Sequence, residues 1–131
     1  MGLFGGIFGG AKNDNGKEDT SIPWRPLTAV EQFEEIKKDS SARPQVIFKH
    51  STSCGISRMV LNMFKSSYSL ENGQMDFYFL DLLANRYVSN AVASEFSVMH
   101  QSPQLLIIKN GVVVKHDSHG AISDIALEKY V

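Results

Sequence analysis

The chain has 131 residues, of which 13 are Lys or Arg and 14 are Asp or Glu, so its net charge is −1. This length suits one domain, and the near-neutral charge excludes the strongly basic surface of a typical nucleic-acid-binding domain. A hydrophobic content of 43% excludes global disorder, and no apolar run approaches the roughly 18–20 residues that span a bilayer. We therefore expect a soluble, cytoplasmic monomer that binds neither nucleic acid nor membrane.

The first twenty residues differ in composition from the rest. Glycine pairs interrupt the apolar residues of Met1–Gly10, and a polar stretch follows through Thr20. The segment lacks the charged start and continuous apolar core of a secretory signal, and Gly6 stands where a myristoylation motif needs Ser or Thr. We interpret residues 1–20 as a flexible tail and residues 21–131 as the domain. Docking of the apolar tail residues on a groove of this chain or a neighbour is the alternative.

The pattern from residue 21 onward predicts alternating helices and strands. Thr28 and Glu31 form a capping box for a first helix that runs to about Lys38. Trp24, between two prolines, is interpreted as a packing plug for this helix. The other predicted elements are a strand at Val46–Phe48, a helix from Gly55 that ends before the Glu71-Asn72-Gly73 turn, a strand at Met75–Asp81, a helix at Asn85–Phe96, strands at Gln104–Ile108 and Val112–Lys115 joined by Asn110-Gly111, and a last helix capped by Ser123.

This order of elements predicts an α/β fold. Early alternation indicates parallel strands joined by crossover helices, and the Asn-Gly turn adds an antiparallel hairpin. We expect a thioredoxin-like arrangement, with a four-stranded mixed sheet and helices on both of its faces.

The only cysteine, Cys54, lies between a predicted strand and the start of a helix. The free backbone N–H groups and the positive end of the helix dipole favour a thiolate at such a position. Ser57 is one turn further along and is expected to donate its hydroxyl to the sulfur. Cys54-Gly55-Ile56-Ser57 is thus a one-thiol version of the Cys-x-x-Cys motif, and a second thiol must come from solution or from a partner. The alternative is a buried and inert cysteine.

A second feature is the segment Ser102-Pro103-Gln104, directly ahead of a strand. Trans is the ordinary state of an X-Pro bond, but a cis bond here would free backbone groups to pair with an extended thiol substrate. His100 is expected to reach Cys54 through this loop, where a cationic imidazole would stabilise the thiolate.

Four segments carry a family resemblance: Phe48–Ser57, Ala84–Ala93, His100–Gln104 and Asp117–His119. Together they resemble the bacilliredoxin family, in particular its monothiol YtxJ-like branch, over about Leu27 to Val131. The resemblance implies a thioredoxin-like fold and activity on bacillithiol, a small cytoplasmic thiol of some bacteria.

By this resemblance, Cys54 attacks a protein–bacillithiol mixed disulfide, takes the bacillithiol, and is regenerated by another thiol. It implies no metal and no bound cofactor, with the small thiol as co-substrate and S-thiolated cytoplasmic proteins as partners. Cys54 and Ser57 would be catalytic. The residues expected to bind substrate are Ser53, Gly55, Ile56, His100, Gln101, Ser102, Pro103 and His119.

The sequence departs from the family at two positions. Gly55 stands where the family commonly has Pro, and Gly120 stands where a bulkier residue is expected. Gly55 is expected to make the start of the helix less rigid, and Gly120 is expected to open the substrate groove. The small thiol that the protein uses can therefore differ from bacillithiol.

Two other functions remain open from the sequence. Cys54–Ser57 also resembles the Cys-Gly-Phe-Ser motif of monothiol glutaredoxins, which hold an iron–sulfur cluster between two chains with glutathione. Lys49 would be their upstream lysine, but it lies close to the cysteine, and their Gly-Gly-x-Asp segment is absent. The third possibility is a redox-inactive binding module that keeps the thioredoxin fold.

Overall fold

A computed structural model describes residues 22–131. The predicted tail and its docking alternative lie outside these residues and stay predictions. The elements, in chain order, are β1 (Trp24–Pro26), α1 (Gln32–Asp39), β2 (Gln45–His50), α2 (Gly55–Ser67), β3 (Asp76–Asp81), α3 (Arg86–Phe96), β4 (Gln104–Lys109) and β5 (Val112–Ser118), followed by short 3₁₀ helices at His119–Asp124 and Leu127–Lys129.

The strands form one mixed sheet in the order β1-β3-β2-β4-β5. β3 is parallel to both β1 and β2, whereas β4 is antiparallel to β2 and to β5. Asn110 and Gly111 adopt positive φ angles of 53° and 80° at the β4–β5 turn, as the hairpin prediction requires. The α/β prediction is confirmed, but the sheet has five strands where four were expected.

The strand that the sequence analysis missed is β1, which carries Trp24. Prolines flank and end this segment, and proline cannot donate to a strand ladder. Because β1 is an edge strand, the missing donor is tolerated. Trp24 does not plug the first helix as predicted; it packs 5.9 Å from the Phe77 ring and 6.2 Å from the Phe64 ring, on the α2 face of the sheet.

Each face of the sheet has its own apolar core. Val60 and Phe64 of α2 pack on one face. Helices α1 and α3 cover the other, with Phe33 and Phe96 in edge-to-face contact 5.6 Å apart. The expectation of helices on both faces is therefore confirmed. No helix in residues 22–131 has both the length and the apolarity to cross a membrane.

The first helix begins later than the capping box indicated. Its first residue is Gln32, whose Oε1 accepts the backbone N–H groups of Thr28 (2.8 Å) and Ala29 (3.0 Å). The Gln32 amide thus caps the entry turn in place of Glu31.

The predicted last helix is wrong. Ile125 is extended (φ −75°, ψ 126°) and separates the two 3₁₀ helices, and the Ser123 hydroxyl donates to the carbonyl of Gly120 (2.8 Å) instead of capping an α-helix. This break accompanies the burial of both Ile122 and Leu127 in the core on the α2 face.

Candidate active site

Cys54 is the N-cap residue of α2, at the carboxyl end of β2. Its backbone is extended (φ −110°, ψ 120°), and its carbonyl accepts the first helical hydrogen bond, from Arg58 N–H (3.1 Å). Its own N–H donates to the carbonyl of Ser51 (3.2 Å), which fixes the turn. Cys54 is a free cysteine, and the residue is partly exposed. The Cys54 side chain makes no capping hydrogen bond to the first turn of α2, and that turn contains no acidic residue.

Ser57 lies behind the cysteine and is completely buried. Its Oγ accepts the backbone N–H of Ser51 (3.1 Å) and lies 2.8 Å from Nδ1 of His50. No hydrogen bond joins this hydroxyl to the sulfur of Cys54 in the structure. The serine is therefore where the sequence places it, but the expected hydroxyl–sulfur bond is replaced by a bond to His50.

The sequence analysis gave His50 no role in the site. The alternation of β2 is the signal that could have found it, because His50 shares the α2 face of the sheet with Phe48. Burial lowers the pKa of His50; Asp81 opposes this effect, and the charges of Arg58 and Lys65 reinforce it. His50 is therefore a neutral hydrogen-bonding group at neutral pH.

The loop before β4 reaches the same end of the sheet. Lys49 at the end of β2 pairs with Gln104 at the start of β4, so the preceding proline lies beside the end of β2. The Ser102–Pro103 peptide bond is cis. The Pro103 carbonyl accepts the backbone N–H of His119 (3.0 Å), which ties this loop to the segment after β5.

Lys49 is a fully buried lysine beneath this loop. Its ammonium donates to the carbonyl of Ser89 (3.1 Å) and contacts Nδ1 of His100 (3.1 Å), with no carboxylate in either bond. Burial lowers the pKa of Lys49 to about 8. Lys49 is therefore directed into the protein, which disfavours it as the upstream lysine of the glutaredoxin alternative.

His100 is expected to be neutral, not cationic. Its pKa is lowered first by burial and then by the positive charges of Lys49 and Arg86. A neutral Nδ1 accepts a hydrogen bond from the Lys49 ammonium. The lowered pKa disfavours the cationic imidazole expected beside the thiolate, and the predicted role of His100 in substrate binding stays a prediction.

The other predicted substrate-binding residues are distributed around these features. Ser53, Gly55 and Ile56 are exposed beside the cysteine, and Ile56 retains 55% of its exposure. On the loop before β4, Gln101 and Ser102 are partly buried and Pro103 is buried, and His119, after β5, is exposed. A Cβ at Gly55 or Gly120 would meet no atom within 4 Å, so both departures from the family leave open space.

No three His, Cys, Asp or Glu side chains within residues 22–131 are grouped so that they could hold a metal ion.

Solved structures share the fold of this chain. The chain is similar to a candidate oxidoreductase with a thioredoxin fold, with 27% identity, a TM-score of 0.68, and coverage of 89% of this chain and 98% of that one. The thioredoxin of Malassezia sympodialis matches with 19% identity and a TM-score of 0.62, covering 83% of this chain and 86% of that one. Fasciola hepatica thioredoxin matches with 21% identity and a TM-score of 0.60, covering 80% and 93%. The two thioredoxins show the fold alone.

The class that fold and site define is a thiol-disulfide oxidoreductase of the thioredoxin fold. Residues 25–127 match the family model described as monothiol bacilliredoxin BrxC, and the chain belongs to that family. This confirms the resemblance found in the sequence.

Proposed function

We propose that the protein removes a low-molecular-weight thiol of the bacillithiol type from mixed disulfides on cytoplasmic proteins, with Cys54 as the nucleophile. The observation that carries the proposal is the partly exposed N-cap position of Cys54, the only cysteine of the chain. Membership of the monothiol bacilliredoxin family supports the choice of thiol.

The proposed reaction has two exchange steps. The Cys54 thiolate attacks the small-thiol sulfur of the mixed disulfide, so a Cys54–small-thiol bond forms and the bond to the client protein breaks. The client cysteine leaves as a thiolate and takes a proton from solvent. A second small thiol, as its thiolate, then attacks the small-thiol sulfur on Cys54, which releases a small disulfide and regenerates the Cys54 thiolate.

The surroundings of Cys54 fit an extended substrate. Ser53, Gly55 and Ile56 border the sulfur on one side, and we propose that the loop from His100 to Pro103, with His119 tied to it, forms the other border. The proposed catalytic pair remains Cys54 and Ser57, with Ser57 acting from its buried position beside His50.

The test is intact-mass spectrometry after mixing the reduced protein with a test protein capped by bacillithiol. We expect the mass of one bacillithiol to move to this chain, and Cys54→Ser to show no transfer. Test proteins capped with glutathione and with coenzyme A, run in parallel, measure the preference for the small thiol. Transfer from either of these without transfer from bacillithiol would overturn the choice of thiol. No transfer from any of the three, with the Cys54 thiol still free, would overturn the exchange activity.

A further inference from the structure

An open groove runs along the outer face of α2 and begins beside Cys54. The residues that line it lie on one side of the helix and include Gly55, Arg58, Met59, Asn62 and Met63. Its volume is about 670 Å³, which is in the range of small-molecule sites. From Cys54 to Met63 the helix rises by roughly 13 Å. A molecule of about the size of a tripeptide, roughly 10 Å when extended, therefore fits along the groove.

The helix geometry places Arg58 next to Cys54. The backbone N–H of Arg58 donates to the carbonyl of Cys54 (3.1 Å), so the two residues are neighbours one turn apart on the same side of α2. Side chains on a helix lean toward its amino end, and this directs the Arg58 side chain back over the turn that begins at Cys54. Burial lowers the pKa of His50 and the charge of Arg58 lowers it further, so the guanidinium acts at the end of β2 that leads to Cys54.

The positive charge of Arg58 has no carboxylate partner in the described part of the chain. Arg58 is exposed, and none of the ion pairs within residues 22–131 includes it. Helix α2 contains no acidic residue. Asp81, at the same end of the sheet, accepts the backbone N–H of Ala84 (3.4 Å) instead of pairing with Arg58. An unpaired guanidinium is suited to bind a carboxylate or a phosphate.

We propose that this groove holds the part of the small thiol beyond its sulfur, and that Arg58 recognises a carboxylate or phosphate of that molecule. The inference rests on the proposed exchange function. The groove is open at Gly55, where a Cβ would meet no atom within 4 Å, so a thiol bonded to Cys54 can enter it there. Met59 and Met63, which are 55% and 47% exposed, supply an apolar floor that adapts to the ligand. The site therefore prefers anionic thiols to neutral ones.

The first test compares alkylation of Cys54 by iodoacetate and by iodoacetamide, and it needs no disulfide. Both reagents form the same C–S bond with the thiolate and release iodide, but only iodoacetate carries a carboxylate. The ratio of the two rates therefore measures the attraction of an anion to Cys54, whatever fraction of the cysteine is ionised. We expect this ratio to fall roughly two- to fivefold in Arg58→Gln, the magnitude of an exposed ion pair. Arg58→Lys should restore part of it, because the charge returns without the planar guanidinium.

Two further variants control for the general charge of the helix. Lys65→Gln removes the other cation of α2, which is two turns further from Cys54, and should keep the wild-type ratio. Asn62→Asp places a carboxylate one turn from Arg58 in a side chain of nearly the same shape, and should lower the ratio as Arg58→Gln does. An unchanged ratio in Arg58→Gln, or an equal fall in Lys65→Gln, would overturn the proposal.

A measurement on the wild-type protein covers the case in which a variant fails to fold. Raising the ionic strength should lower the iodoacetate-to-iodoacetamide ratio at Cys54, because salt screens the attraction between exposed charges. A neutral peptide that contains one cysteine is the reference. A ratio at Cys54 that responds to salt no more than that of the peptide would overturn the proposal.

The second test identifies the small thiol as the ligand. One test protein is capped either with 3-mercaptopropionate, which carries a carboxylate, or with the neutral 2-mercaptoethanol, and transfer to Cys54 is followed by intact mass. Arg58→Gln should slow transfer of the anionic cap roughly two- to fivefold relative to the neutral cap. Equal slowing of both caps would assign Arg58 to the client protein or to the thiolate and overturn its role in recognising the small thiol.

The same assay separates this inference from the exchange function. Transfer of both caps without a preference for charge would overturn the inference alone. No transfer of either cap, with a normal alkylation ratio, would overturn the exchange function and with it the thiol as the ligand of the groove. Caps of glutathione and of coenzyme A then distinguish a carboxylate from a phosphate, by which of the two loses more transfer in Arg58→Gln.

Discussion

The sulfur of Cys54 sits at a position where serine is also a good N-cap. Cys54→Ser should abolish exchange, because it removes the only sulfur that can form the mixed disulfide. It should leave the free energy of unfolding within about 1 kcal/mol of wild type, because serine also suits the N-cap. Intact-mass transfer and thermal unfolding measure the two effects separately. Full exchange by Cys54→Ser would contradict the assignment of the nucleophile.

Ser57→Ala should affect both stability and reactivity, because its hydroxyl has two buried partners. Removing Oγ leaves the Ser51 N–H and Nδ1 of His50 unpaired, which costs about 1–3 kcal/mol. Exchange should become slower without being lost, since the cysteine and its helix remain. Chemical denaturation and exchange rates test this. Ser66→Ala is the matched control, because Ser66 is exposed on the same helix and bonds only to the Asn62 carbonyl; an equal loss of stability there would contradict the explanation.

Gly55 occupies the first helical position of α2. Proline is favoured at that position, because its missing N–H would be unpaired in any case. It also requires an extended preceding residue, and Cys54 has φ −110° and ψ 120°. The space around a Cβ at Gly55 is open.

Gly55→Pro should therefore raise the free energy of unfolding by about 0.4–1 kcal/mol, by restricting the unfolded chain. Denaturant midpoints measure this change, with Gly55→Ala as the control that adds a Cβ without fixing φ. A destabilised Gly55→Pro would show that the backbone at the helix start is incompatible with proline. The exchange assay on the same variant shows whether glycine at this position matters for the choice of small thiol.

The sequence predicted those elements whose signal is local. The Asn110-Gly111 turn and the apolar runs of β2 and β4 appear where expected. The predictions that were wrong concern segments whose conformation depends on tertiary contacts. Trp24 forms a strand because the edge of β3 is available to it, and the segment after Ser123 breaks at Ile125 so that Ile122 and Leu127 both reach the core.

The sequence also predicted part of the candidate site. The position of Cys54 at a helix start follows from the strand-to-helix pattern, and the match of residues 25–127 confirms the family. The alternation of β2 could have placed His50 on the same face as Ser57, whereas the contact of Lys49 with His100 was not predictable, because it depends on the loop that ends in Pro103. His50 and Lys49 are adjacent in sequence, yet they belong to opposite faces of the sheet.

At the scale of the whole molecule, the sheet separates two buried polar groups. Nζ of Lys49 contacts Ser89 of α3 and His100 on one face, and His50 contacts Ser57 of α2 on the other. Both groups adjoin loops that we propose contact the substrate. The protonation of both groups changes the stability of the fold with pH, and both groups lie at the end of the molecule that carries Cys54.

The free energy of unfolding should rise with pH between about 8 and 9.5. In this range the unfolded chain keeps Lys49 protonated, whereas the folded protein, in which the pKa of Lys49 is about 8, releases that proton. The slope rises from about half of 1.36 kcal/mol per pH unit at pH 8 towards that value, so the gain over these 1.5 pH units is about 1.5 kcal/mol. Above pH 10 the raised pKa values of Tyr68 and Tyr78 act in the opposite direction.

On the acid side, the lowered pKa values of His50 and His100 predict a loss of stability as the pH falls below 6.5, because the unfolded chain then binds more protons. Urea unfolding at intervals from pH 5 to 9.5 measures both limbs. Lys49→Met should remove the alkaline rise and retain the acid loss, because methionine fills a similar volume without a charge to desolvate. An alkaline rise that persists in Lys49→Met would assign it to another group and show that Lys49 is not the buried cation that limits stability at neutral pH.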